Sequence, residues 1–295
     1  MKKFVLTALA VLTGGALQAL PVMNIADASL YTNNWWWGDS CCDPCDPCGS
    51  WCDWMDLRLG FYGDYVFNRH LETRVSGSEG GDIQDTTIMT NAGLIVLNLC
   101  DWIDVFGTVG VSNFRIRTEN SVWGVGGGNG TAVMSELDFS PAMSYSGGLR
   151  ATFWQCDCFY VGAEAQYFYS NPELNWYLPY DSGVLTYFNT DRKKGYQEWQ
   201  VAVGAAYKFV NCADFEFVPY FAVQVAGGQW DLSNFSFVDA NGTPSETVTL
   251  RKLQPKKTVG WTLGMSAILC DLIGVTVEGR WANEKALHVN GQLSF

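Results

Sequence analysis

The sequence predicts an all-β protein, a transmembrane antiparallel β-barrel of at least 10 strands (about 10 to 16) with short periplasmic turns and long external loops. Three observations predict it. The chain opens with a secretory leader, its apolar side chains recur at every second residue over long segments, and short links alternate with long ones between those segments.

The leader reads MKKFVLTALAVLTGGALQA, with Lys2 and Lys3 in front, an uncharged stretch from Phe4 to Leu17, and small Ala19 before the expected cleavage point. Its apolar stretch falls short of the ~20 residues that a spanning helix needs, and Gly14 and Gly15 weaken it further. The expected division is a signal peptide over 1–19, a Cys-rich periplasmic amino-terminal segment over 20–53, and an outer-membrane β-barrel over 54–295. The chain carries 30 acidic against 18 basic side chains, a net charge of −12, and loses two of its cations with the leader. Nucleic acid is therefore not an expected partner, because neutralising phosphates needs a basic surface. Hydrophobic residues make up 48% of the chain, yet beyond the leader no uncharged apolar run reaches the length of a membrane helix.

The apolar residues lie instead at period two, which puts alternate side chains on opposite faces of a strand. Leu57, Leu59, Phe61, Tyr65 and Phe67 stand opposite Arg58, Gly60, Asp64 and Val66. Val259, Trp261, Leu263, Met265, Ala267 and Leu269 form a later face of the same kind. The pattern predicts strands over 55–69, 86–99, 103–117, 141–154, 159–170, 196–210, 215–230, 257–269, 273–283 and 286–295, with room for a further hairpin in the links 176–190 or 235–252. Runs of this length exceed the ~5 to 6 residues usual in globular sheets and suit strands crossing a bilayer at a tilt. The chain ends on a strand with Leu293 and a terminal Phe295. This ending resembles the assembly signal that outer-membrane barrels present to the barrel-assembly machinery.

On the polar face, Arg58, Asp64, Arg150, Glu164, Glu198, Lys208, Glu278 and Arg280 are the candidate pore-lining residues. Mixed charge suits a hydrated path of weak selectivity. The competing expectation is that these charges pair across a filled interior, since small barrels are packed by their own side chains.

All ten cysteines lie beyond the leader, which fits export to an oxidising compartment. Cys100, Cys156, Cys158, Cys212 and Cys270 mark the short turns. Cys41, Cys42, Cys45, Cys48 and Cys52 precede the first strand, so all ten are expected on the periplasmic rim, with both chain termini. They are disulfide candidates, within the chain or between neighbours, and the sequence leaves the pairing open. The spacing of Cys42, Cys45, Cys48 and Cys52 matches that of bacterial iron–sulfur proteins, but the following Pro is missing and the Asp-Pro repeats favour turns. No cofactor or metal is expected. Gly124 to Gly130 lack the flanking strand and helix of a phosphate loop. His70 and His288 supply neither a metal triad nor a catalytic one, so no catalytic residue and no enzyme is expected. Trp35, Trp36 and Trp37 suit either an interfacial anchor or packing against the barrel base.

Four blocks carry a family resemblance: LQALPV at the leader junction, DPCDPCGSWCDWMDLRLGFYGDYVFNRHL from Asp43, KGYQEWQVAVGAAYKF from Lys194 with PYFAVQ from Pro219, and TVEGRWANEKALHVNGQLSF at the end. They resemble the chlamydial major outer membrane porin family. The resemblance implies a barrel in the bacterial outer membrane, in contact with its lipid, that passes small hydrophilic solutes and ions. It also implies a homo-oligomer joined to envelope neighbours by disulfides that stiffen the envelope, a role carried over to Cys45, Cys48 and Cys52. This chain is shorter than the family pattern, which suggests a chlamydia-like bacterium as its source. The alternative is a non-conducting structural or adhesive envelope barrel.

Overall fold

The structure is a computed structural model that describes residues 20–31, 55–74, 83–119, 134–179, 186–187, 195–211, 215–232, 235–238, 244–248 and 252–295. The leader, residues 32–54 with Trp35 to Trp37 and five cysteines, Cys212 and the Gly124 to Gly130 stretch lie outside them.

Ten long strands form the wall: β1 Met55–Arg69, β2 Asp85–Leu99, β3 Ile103–Glu119, β4 Ala142–Cys156, β5 Phe159–Ser170, β6 Tyr196–Tyr207, β7 Phe215–Asp231, β8 Val259–Leu269, β9 Ile273–Trp281 and β10 Glu284–Ser294. Each pairs antiparallel with its neighbours in the chain. The first strand also pairs with the last, from Arg58↔Ser294 to Arg69↔Glu284, and the Phe295 N–H donates to the Leu57 carbonyl at 3.0 Å. The sheet is therefore closed and exposes no edge, as a strand-built membrane span requires.

The two links with room for a hairpin contain one each, Leu174–Pro179 with Thr186–Tyr187 and Phe235–Val238 with Pro244–Val248. The links after β1 and β3 hold short strands that the pattern does not predict, but none of these becomes an extra stave. Leu71–Arg74 pairs with Lys252–Pro255, Met134–Phe139 with the end of β3 and with Leu174–Pro179, and Phe235–Val238 with Pro244–Val248. They raise one rim above the barrel instead. At the opposite rim the turns are short. Cys100 with Asp101, and Cys270 with Asp271, hold successive positive φ values of 53 to 56°, and the residue after each pair donates back to the one before it. That is the two-residue hairpin turn whose twist matches antiparallel strands.

The period-two faces are inside-out relative to a soluble protein. Along β8, Val259, Trp261, Leu263, Met265 and Leu269 are each about half exposed, while Thr262 and Ser266 are buried. The same outward apolar face recurs on every side, with Ile95, Val109, Leu149, Tyr167, Val203, Phe221 and Val275 exposed. A continuous apolar exterior around a polar interior is stable only against lipid. Leu263→Arg, in the middle of this belt, is expected to destabilise the barrel by roughly 2–4 kcal/mol. Urea unfolding in lipid vesicles checks this, and an unchanged midpoint would exclude a lipid-facing Leu263.

Candidate functional site: the barrel lumen

The lumen is filled from three sources: inward side chains of the strands, an aromatic cluster at the long-loop end, and residues 20–31 of the chain itself. At the long-loop end Phe114 of β3, Tyr196 of β6 and Trp230 of β7 meet with centroid separations of 5.1 to 5.3 Å, and Phe139 joins Trp230 at 4.7 Å. Leu20 packs into the same buried cluster.

Beneath it, one ion pair crosses the full diameter. β1 and β6 stand five strands apart in a ring of ten, and the Arg69 guanidinium of β1 donates to both Glu198 carboxylate oxygens of β6 at 2.9 to 3.0 Å. Arg69 also donates to Tyr196 Oη at 2.8 Å and to Glu284 at 2.6 Å. Arg280 bonds Asp64 at 2.6 Å and pairs with Glu284 and Glu278. Planar guanidinium forks are suited to such shared carboxylates.

Towards the short-turn end a second cluster forms around the amino-terminal segment. Arg150 bonds Asp27 at 2.7 Å, Glu164 at 3.0 Å and Asp104 at 3.3 Å, while Arg58 pairs with Asp104 and lies 4.6 Å from the Tyr31 ring centroid. The segment itself hangs from the wall by its backbone and short polar side chains. Leu20 N donates to Gln200 Oε1 at 2.5 Å, Val22 N to Glu278 Oε1 at 3.0 Å, and Asn24 Nδ2 to Ser266 Oγ at 3.0 Å. Thr152 and Asn98 donate to the Ile25 and Ala28 carbonyls at 3.1 and 2.8 Å. Ser29 Oγ reaches the Asp101 carbonyl at the short-turn rim. Two inward glycines leave room for it. A Cβ on Gly162 would sit 2.7 Å from the Ile25 oxygen, and one on Gly274 would collide with the Tyr31 hydroxyl.

The sequence-predicted residues are thus placed as follows. Arg58, Asp64, Arg150, Glu164, Glu198, Glu278 and Arg280 all face inward, as the strand pattern requires, but each is buried and ion-paired. Lys208 pairs with Glu216 near the short-turn rim. In this structure they touch one another and the segment rather than water, so the filled-interior expectation describes it. Residues 20–31, expected within the periplasmic segment, lie inside the barrel because its polar wall satisfies their backbone. Arg69 was missed because strict alternation turns it outward; a bulge between Val66 and Asn68 reverses the parity. Asp27 and Tyr31 were missed because the segment has neither a helical nor a strand period. Among the cysteines, Cys100 and Cys156 carry free, exposed thiols, Cys158 a free and half-buried one, and Cys270 is exposed on the same short-turn rim. His288 lies buried edge-on to Tyr62, 4.8 Å between centroids, opposite Asp64 and Glu278 in register, whereas His70 follows the end of β1 at the long-loop rim. The structure does not bring the two histidines together. Leu293 lies within the last pairs of the closing strand, and Phe295 follows its end at Ser294.

A family model described as Chlamydia major outer membrane protein matches residues 1–79 and 72–177. A major outer membrane porin of Chlamydia pneumoniae is 32% identical, with 95% of each chain covered, and that of Chlamydia trachomatis serovar E is 28% identical with 99% covered. Among solved structures, the outer membrane protease OmpT of Escherichia coli aligns over 82% of this chain and 96% of its own, at 13% identity and a TM-score of 0.39, too distant to carry an argument.

Arg69→Met is expected to cost about 3–5 kcal/mol, because it leaves the Glu198 carboxylate buried without its cation. The loss should appear as a lower urea midpoint for the heat-modifiable folded band. Adding Glu198→Gln should recover part of it, since two neutral partners no longer confine a bare charge.

Proposed function

The chain belongs to the Chlamydia major outer membrane protein family, and from that premise we propose that it is an outer-membrane porin passing small hydrophilic solutes and ions by passive diffusion. The observation that carries the reading is a closed ten-strand wall, apolar outside and polar inside, in a chain related over nearly its whole length to porins. The short-turn rim, which holds Phe295, Cys100, Cys156, Cys158 and Cys270, faces the periplasm. The long-loop rim faces outward, the asymmetry usual for such barrels. Phe295 and Leu293 serve as the assembly signal.

The exposed thiols on that rim support a second role. Cys100 and Cys156 are accessible to neighbouring proteins, and cross-links there join copies of the barrel and other envelope proteins into a stiff layer. No part of this role calls for catalysis or a cofactor. The competing reading is a non-conducting structural barrel, and one observation favours it: the lumen charges are buried and paired.

Single-channel conductance of the folded mature protein in a planar bilayer separates the two. Discrete ion-carrying steps are expected. A folded barrel that stays silent at every voltage, with and without residues 20–31, would establish the structural reading instead. For cross-linking, non-reducing gels of intact envelopes should show high-mass species that collapse with reductant and diminish in a Cys100→Ser/Cys156→Ser variant. Unchanged migration would remove these two thiols from the role.

A further inference from the structure

We propose that residues 20–31 are a plug that seats in the lumen as the mature amino terminus and holds the porin closed. The inference rests on the porin reading and on cleavage after Ala19.

The fit between segment and wall is the first argument. Its residues bond to β1, β2, β4, β6, β7, β8, β9 and β10 through Arg58, Asn98, Arg150, Gln200, Val218, Ser266, Glu278 and Gln292. On β5, Gly162 provides the space that the Ile25 carbonyl occupies. Leu20, Val22, Met23, Ile25 and Ala26 are almost wholly buried. A tail adsorbed by chance would not meet nine of ten strands.

The second argument is where the segment begins. Leu20 is the residue freed by the expected cleavage, and its nitrogen already lies inside the wall beside Gln200. Cleavage turns that nitrogen from a backbone amide into an α-ammonium. The interior suits that charge, since eight buried carboxylates, leaving aside those paired with Arg115, Arg117 and Lys208, share four buried guanidiniums among the described residues. Processing therefore completes the plug.

The third argument is the way out. Tyr31 and Met55 bound the stretch 32–54, and both stand at the short-turn rim: the plug's last polar contact is with Asp101 and Met55 pairs with Leu99. The segment can withdraw through that rim without unthreading the barrel. Its retreat would leave Arg150 with Asp104 and Glu164, and Arg58 with Asp104, so the wall keeps its own pairs.

The test compares three folded proteins in planar bilayers: the mature chain, the mature chain lacking residues 20–31, and the mature chain carrying Asp27→Asn, which weakens the bond to Arg150. The deletion is expected to conduct steadily, several-fold above the time-averaged conductance of the mature chain. Asp27→Asn should raise the open fraction without changing the open-state conductance, and it carries the comparison if the deletion fails to fold. Equal time-averaged conductance in all three overturns the plug and leaves the porin reading intact. A folded deletion that is silent overturns the plug as the gate, because the Arg69–Glu198 pair and the aromatic cluster still cross the lumen, and silence of all three proteins returns the structural reading. A separate readout uses an amine-acylating reagent at neutral pH with peptide mapping: the Leu20 α-amine should be protected relative to the exposed Lys257 in folded protein. Labelling at the same rate as in urea would overturn the seating.

Discussion

Pairing of the first strand with the last is the constraint on which the rest of this structure depends. In hydrocarbon an unpaired strand edge leaves N–H and C=O groups without water or partner, at several kcal/mol each. The β1–β10 ladder removes both edges at once. Once the sheet is closed, period-two alternation has one stable sense, apolar to the lipid and polar to the centre. Every inward polar group must then find its partner within a confined cylinder.

Ten strands set the width of that cylinder and so the manner in which it is filled. A barrel of eight strands is filled by its own side chains. Here there is space for that and for the segment 20–31 as well. The long arginines use it fully: Arg69 reaches the opposite wall, and Arg150 joins β3, β5 and the segment through three carboxylates. Sharing one guanidinium among several acids offsets the desolvation of each. The same property makes the interior sensitive to removal of a single charge and tolerant of changes made to both partners.

The two rims differ for a reason that also begins with the strands. At the short-turn rim, tight turns built from Cys-Asp pairs in the left-handed region fix the register of the hairpins and leave thiols exposed. At the other rim, the strands continue beyond the membrane belt into local pairings such as Leu71–Arg74 with Lys252–Pro255. One rim presents thiols at a fixed height, the other a folded surface.

The sequence by itself determined the strand pattern, the inward and outward faces and the rim on which the described cysteines stand. These are local or periodic properties: apolar side chains at 57, 59 and 61 share a face wherever the strand goes, and a chain this acidic and alternating has few folds open to it. Tertiary structure decided what fills the lumen. A bulge of one residue between Val66 and Asn68 turned Arg69 inward against the alternation. The pairing of Arg69 with Glu198 depends on which strands lie opposite each other, which follows from the number of staves. Residues 20–31, with no strand or long helical period of their own, take their place from eight strands far away in the chain, because only a closed polar wall can satisfy such a backbone in the middle of a membrane.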